Sequence, residues 1–217
     1  MTASDNTGYP WPAKHHDLDA PSDSYWCFSD IGWQRRLGLQ GRITGFRRAA
    51  EILYAAMLAE QSIRDLDTVI FPYAACWRHC VELQLKTLLA QLRALSDLPA
   101  QGRHHHRIDQ LWQETRKLMI EHFPSDRADP APVGKVISQL ARLDPDGQAF
   151  RYAAERDGRE TLPDVDQINL VAFQEAMVGV ASYLDAADSG VSEYLSTKNE
   201  MDSYYAAEFG PDWSDFN

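Results

Sequence analysis

Cys76-Trp77-Arg78-His79-Cys80-Val81-Glu82-Leu83-Gln84-Leu85-Lys86-Thr87-Leu88-Leu89-Ala90-Gln91-Leu92 is the stretch that decides the fold. Ala75, Val81, Leu85, Leu88, Leu89 and Leu92 recur at three- and four-residue spacing, the period of a buried helical face. Around them the helix is apolar nearly all round, as a helix at the centre of a bundle is. Pro72 suits a first-turn position, so this helix is predicted from about Pro72 to about Leu95, with 96–103 breaking it.

The same period appears on both sides. Ile43, Phe46, Ala50, Leu53 and Met57 predict a helix continuing towards Leu66. Ile108, Leu111, Trp112, Thr115, Leu118 and Met119 predict another over 107–122, and 133–143 is a short helix candidate. Asp146-Gly147 and Asp157-Gly158 flank Phe150-Arg151-Tyr152 and predict a small hairpin or ordered loop near 144–163. Leu170, Phe173, Met177, Val180, Ala181 and Leu184 make 169–188 helical, and Ser189-Gly190 is expected to separate it from a last amphipathic helix ending near Phe209. Residues 1–30 carry Pro10, Pro12 and Pro21 and read as an irregular arm. Its rings Tyr9, Trp11, Tyr25, Trp26 and Phe28 are expected to be buried against the body. The fold class is all-α: an antiparallel bundle of about five long helices within 31–217, packed across short loops.

The 217 residues are 44% hydrophobic and 24% charged, enough for a sizeable core. No apolar run approaches the roughly 18 residues that span a bilayer, and the first twenty residues show no secretory pattern. Three cysteines argue against a disulfide framework and for a reducing, cytoplasmic setting. A net charge of −11 disfavours broad nonspecific nucleic-acid binding but leaves room for a local basic patch.

That patch lies between Ile31 and Ala50, where Arg35, Arg36, Arg42, Arg47 and Arg48 sit with Trp33 and Phe46 and no acid. Arginine with aromatics can hold phosphate and stack bases. Pairing with acidic surface is the other reading, and 188–217 hold seven acids against one lysine. On the central helix, Arg78, Glu82 and Lys86 are spaced by four and form one polar stripe. A solvated row of ion pairs, a site inside the bundle and a buried structural network all remain open. Cys76, His79 and Cys80 lack a fourth ligand for zinc and read as small buried cysteines beside a histidine. Among the consecutive histidines His104, His105 and His106, the last precedes the Ile108–Leu111–Trp112 face and is the one expected to turn inward. The chain holds no P-loop, nucleophile elbow, His-Glu-x-x-His or dinucleotide fingerprint.

Three features together resemble the HEPN superfamily of bacterial helical proteins. They are Arg78-His79-x-x-Glu82-Leu83-x-Leu85-Lys86, then His106 with Ile108 and Leu111-Trp112, then Phe150-Arg151-Tyr152 followed by Asp157-Gly158. They cover about 70–185, and Ala153 stands where the group tends to have proline. The resemblance implies a homodimerising helical bundle with no metal and no cofactor. It is either a metal-independent ribonuclease of a toxin–antitoxin or phage-defence system, or a noncatalytic module that binds RNA, a nucleotide, or a partner such as an antitoxin. The family's Arg-then-His ribonuclease motif has one match, Arg116 to His122, a number that chance supplies. The catalytic candidates are therefore Arg78, His79, Glu82, His106 and Arg151, with Arg35, Arg36, Arg42, Arg47, Arg48 and Lys86 as RNA contacts. The Phe150–Tyr152 segment should fold back on the central helix, anchored by both rings, and bring Arg151 within salt-bridge distance of Glu82.

Overall fold

A computed structural model describes residues 16–18, 20–27, 29–99, 106–124, 130–155 and 157–209. The chain divides into Met1–Arg36 and Leu37–Asn217. The first unit carries a 3-10 turn at Tyr25–Cys27 and a short helix α1 (Ile31–Arg36), whose Trp33 N–H is capped by Asp30 Oδ1 at 2.8 Å. Within this unit Tyr25 and Trp26 pack edge-on against each other. Tyr9, Trp11 and Phe28 lie outside the described residues.

The second unit holds α2 (Leu39–Glu60), α3 (Ile63–Leu95), α4 (Ile108–His122), α5 (Ala131–Leu143) and α6 (Leu170–Phe209). It is an all-α bundle, and among the described residues no strand forms. One isolated bridge, Ala154 to Glu160, closes a small hairpin inside the loop expected there. The helix boundaries differ from the sequence reading in two places. α2 stops at Gln61, which takes a left-handed conformation (φ 47°), and α3 begins directly afterwards. The Ser62 hydroxyl accepts from the Asp65 N–H at 3.3 Å, so an ordinary N-cap starts α3 and Pro72 lies in its interior. Proline there leaves the Thr68 carbonyl without its usual partner. Burial of Tyr73, Ala74, Trp77 and Val81 just beyond offsets that loss. The second difference is α6, which runs unbroken through Ser189-Gly190. A helical glycine costs only about 1 kcal/mol, and the buried Val191 holds the next turn against the core.

α3 is the hub. Tyr54 stacks with Tyr73 and Phe46 packs edge-on against His79, so α2 and α3 are antiparallel. Along α6, Gln174 meets Tyr73, Asp185 meets Gln84 and Asp188 meets Gln91, so α6 runs in the same direction as α3. α4 does too: His106 sits at Glu82, Glu114 at Arg93 and His122 at Ser96. The antiparallel expectation thus holds for α2 and α3, while the connection after Leu95 returns more than three turns along α3 before α4 begins. That return, about 20 Å of helix rise, is what delivers His106 to the middle of α3.

Gly134 on α5 marks a close approach of α5 to α4. A Cβ there would stand 2.7 Å from Nε1 of Trp112, whose buried indole is held edge-on to Tyr183. Gly134→Ala should therefore destabilise the bundle by about 1 kcal/mol net, the overpacking cost exceeding the gain in helix propensity. A urea midpoint that rises for this variant would show that the indole can move aside.

Candidate functional site

Side chains of α3 and of the segment that leads into α4 meet at the buried Glu82. The i, i+4 spacing on α3 sets Arg78 one turn before it and Lys86 one turn after. Arg78 Nη1 donates to Oε2 at 3.0 Å, and Lys86 Nζ donates to Oε1 at 2.7 Å. His106, at the start of α4, places Nδ1 2.9 Å from the same Oε1. The stripe therefore points inward. Arg78 is buried as completely as Glu82, and its remaining donors reach main chain: Nε to the Asp144 carbonyl at 3.0 Å, and Nη2 to the His106 carbonyl. One guanidinium thus ties the end of α5 to the start of α4.

Asp144 is the residue that sequence reasoning missed. It is buried, its carbonyl receives Arg78, and its Oδ1 accepts the Ala149 N–H at 3.0 Å, which turns the chain into the 144–151 loop. Its only sequence signal is the turn run Asp144-Pro145-Asp146-Gly147 directly after a helical pattern. Gly147 completes the turn at φ 81°, where a side chain is strained; a Cβ would meet Glu82 Oε2 at 3.8 Å and both Arg151 Nη2 and Arg78 Nη2 at 3.9 Å.

The loop does fold back on α3, anchored by the buried Phe150 alone, since Tyr152 is exposed. Arg151 comes close to the cluster without pairing with Glu82. Its Nε donates to the Gly147 carbonyl at 2.7 Å, and its guanidinium lies over the Tyr152 ring. The expected Arg151–Glu82 ion pair is absent because Arg78, Lys86 and His106 already use both carboxylate oxygens. His79 sits a third of a turn from Arg78, so its ring packs edge-on against Phe46 of α2 at 4.5 Å and makes no hydrogen bond to a described residue.

Electrostatics follow from this geometry. Burial alone would raise the Glu82 pKa, but Lys86, then His106 and Arg78, more than offset it and hold the carboxyl below its ordinary value. Burial pushes the His79 pKa down; Glu82 opposes the shift, and Arg151, Lys86 and Arg78 add to it. Burial raises the Cys76 thiol, and pushes Cys80, whose Sγ contacts the Ile43 carbonyl, up to about 12. Neither thiol is poised as a nucleophile. Among the described residues no group of three His, Cys, Asp or Glu is placed to hold a metal ion.

Both shifted groups in the cluster predict acid lability. A base or a carboxyl with a depressed native pKa stabilises the fold above its unfolded value and loses that contribution as pH falls. Stability should drop first below pH 6.5 as His79 is forced to protonate, then again below pH 4.5 as Glu82 does. In His79→Phe the first step should vanish from a series of thermal melts. A His79→Phe profile identical to wild type between pH 5 and 7 would contradict the assignment.

Of the remaining candidates, Arg47 is held by Glu51 at 3.2 Å and Asp185 at 2.9 Å, and Arg48 lies 3.6 Å from Glu51. Arg42 is exposed on α2; Arg35 and Arg36 are exposed in the last turn of α1, in the other unit. Lys86, a quarter exposed, is committed to Glu82. His122 bonds Ser96 at 2.7 Å at the far end of α4, away from the Glu82 cluster, and Arg116 is exposed. His104 and His105 lie outside the described residues. No described helix is long and apolar enough to cross a membrane.

Beside the cluster opens a cleft of about 930 Å³. Leu66, Asp67, Ile70 and Phe71 of α3 form one wall, and residues from 150–153 and 160–170 form the other. Arg151, next to the cluster, lines it. No protein-family model, no curated protein and no solved structure matches this chain.

Proposed function

We propose that the chain is a HEPN-like, RNA-directed protein that cleaves RNA without a metal ion, as a homodimer, in a toxin–antitoxin or phage-defence setting with a cognate partner protein. The observation that supports this reading most is the His106–Glu82 contact at 2.9 Å, with the histidine side chain 62% exposed. An ionised carboxylate can only accept, so Nδ1 carries the proton and Nε2 of the neutral ring is a bare base directed away from Glu82. Such a base can take the proton of a ribose 2′-hydroxyl. The 2′-oxygen attacks phosphorus, the P–O5′ bond breaks, and the leaving oxygen takes its proton from the imidazolium just formed or from solvent water, giving a 2′,3′-cyclic phosphate and a 5′-hydroxyl end. Arg151 supplies a cation for the developing phosphorane charge, and Lys86 adds positive potential. Arg78 acts as a positioning residue, since it holds the main chain of His106.

The purified chain should cleave an RNA pool in the presence of EDTA, and His106→Ala should slow it at least about 100-fold with the helical fold intact by circular dichroism. An inactive wild type would refute the enzyme, and an active His106→Ala would refute the base. One observation favours a noncatalytic binding module instead: Arg78 and Glu82 direct every hydrogen bond into the protein, as a structural network does. Under that reading His106→Ala leaves RNA binding intact and no cleavage is seen at any concentration.

A further inference from the structure

We infer that the cleft beside the cluster is a nucleobase subsite that accepts bases bearing an exocyclic amine and disfavours uracil. The inference rests on the RNA reading above and assigns the recognition element of that site. Its volume falls within the range of about 300–1,000 Å³ usual for small-ligand sites, and Arg151 belongs to both features. Its guanidinium reaches the Gly147 turn beside Glu82, and the same residue lines the cleft. A phosphate held at Arg151 therefore has its own nucleoside within reach of the cleft.

The lining determines which part of the nucleotide enters. Leu66, Ile70, Phe150, Leu162 and Ile168 give apolar walls, and Phe71, 46% exposed, offers a ring on which a base can stack. Asp67, Glu160 and Asp166 also line the cleft, and none of them makes an ion pair with a described residue. Three carboxylates against one arginine repel phosphate from the interior, so the phosphate stays at the Arg151 rim while the base goes in. Carboxylates accept hydrogen bonds from an exocyclic amine, as acidic side chains accept from cytosine N4. Adenine, cytosine and guanine present that donor. Uracil presents carbonyl oxygens in its place, which carboxylates oppose.

The test measures binding of the full-length chain to fluorescein-labelled single-stranded oligoadenylate, oligocytidylate, oligouridylate and an abasic ribose-phosphate oligomer of equal length. His106→Ala serves as the background, so that cleavage does not interfere. Oligoadenylate and oligocytidylate should bind about tenfold tighter than the uridine and abasic oligomers. Phe71→Ala should remove most of that difference, and Asp166→Asn with Glu160→Gln should raise uridine binding towards the others. Unchanged melting temperatures would separate these effects from misfolding. If all four oligomers bind equally and Phe71→Ala changes nothing, the subsite is refuted while RNA binding stands. If none binds, the RNA reading itself fails and takes the subsite with it.

Discussion

Arg78→Ala should lower the free energy of unfolding by about 3–5 kcal/mol, the range for breaking a buried pair by removing one partner. The loss has two parts. Glu82 stays buried with only Lys86 and His106 to balance it, and the carbonyls of Asp144 and His106 lose their donor. Buried acceptors without partners cost about 1–3 kcal/mol each when they cannot reach water. Arg78→Lys should recover little, because a single ammonium cannot reach three acceptors that the guanidinium serves from three nitrogens. Lys86→Ala gives the contrast: its charge meets solvent, so the loss should stay below about 1 kcal/mol. Urea denaturation of the four proteins measures all of this. An Arg78→Ala loss as small as that of Lys86→Ala would mean that the network is a surface feature. Arg78→Met combined with Glu82→Leu should cost much less than the sum of the single changes, since the two charges are coupled.

Trp77→Ala should cost a similar 3–5 kcal/mol through a different mechanism. Trp77 is fully buried on the face of α3 that meets α6, and no neighbouring charge depends on it. Its removal leaves a cavity where close-packed atoms stood, and the surroundings relax only in part. Its Nε1 donates to Gln174 Oε1 at 3.0 Å, but the Tyr73 hydroxyl donates to the same oxygen at 2.8 Å, so the acceptor keeps a partner. Trp77→Phe should therefore cost far less than Trp77→Ala, about 1–2 kcal/mol for the lost volume and bond. Equal losses for the two variants would show that the hydrogen bond, rather than packing, dominates the site. Because its cost is cavity rather than charge, Trp77→Ala should also be insensitive to salt.

Helix positions and their apolar faces were legible because helix period is local. Val81, Leu85, Leu88 and Leu92 are buried as their spacing requires, and 107–122 and 133–143 are helical within a residue or two. The readings that failed locally share one cause. Pro72 looks like a helix start and Ser189-Gly190 like a helix end, yet tertiary burial on either side outweighs costs of a few kcal/mol. Ser62, an ordinary N-cap residue, is the local signal that starts α3 ahead of Pro72.

For the candidate site the division lies elsewhere. The sequence by itself determined that Arg78, Glu82 and Lys86 share one stripe, since residues four apart are neighbours on any helix. It also placed Phe150 and Arg151 between two turns that return the loop to the bundle. Only the tertiary structure decided that the stripe faces inward, that His106 completes the carboxylate, and that Arg78 binds two carbonyls 28 and 66 residues away. It also decided that Arg151 bonds the Gly147 carbonyl and lies along the cleft without pairing with Glu82. Helical period fixes the angle between side chains on one helix, but the side that neighbours cover depends on where the other helices lie. Main-chain carbonyls are alike in every residue, so no sequence pattern marks those that accept from a buried guanidinium.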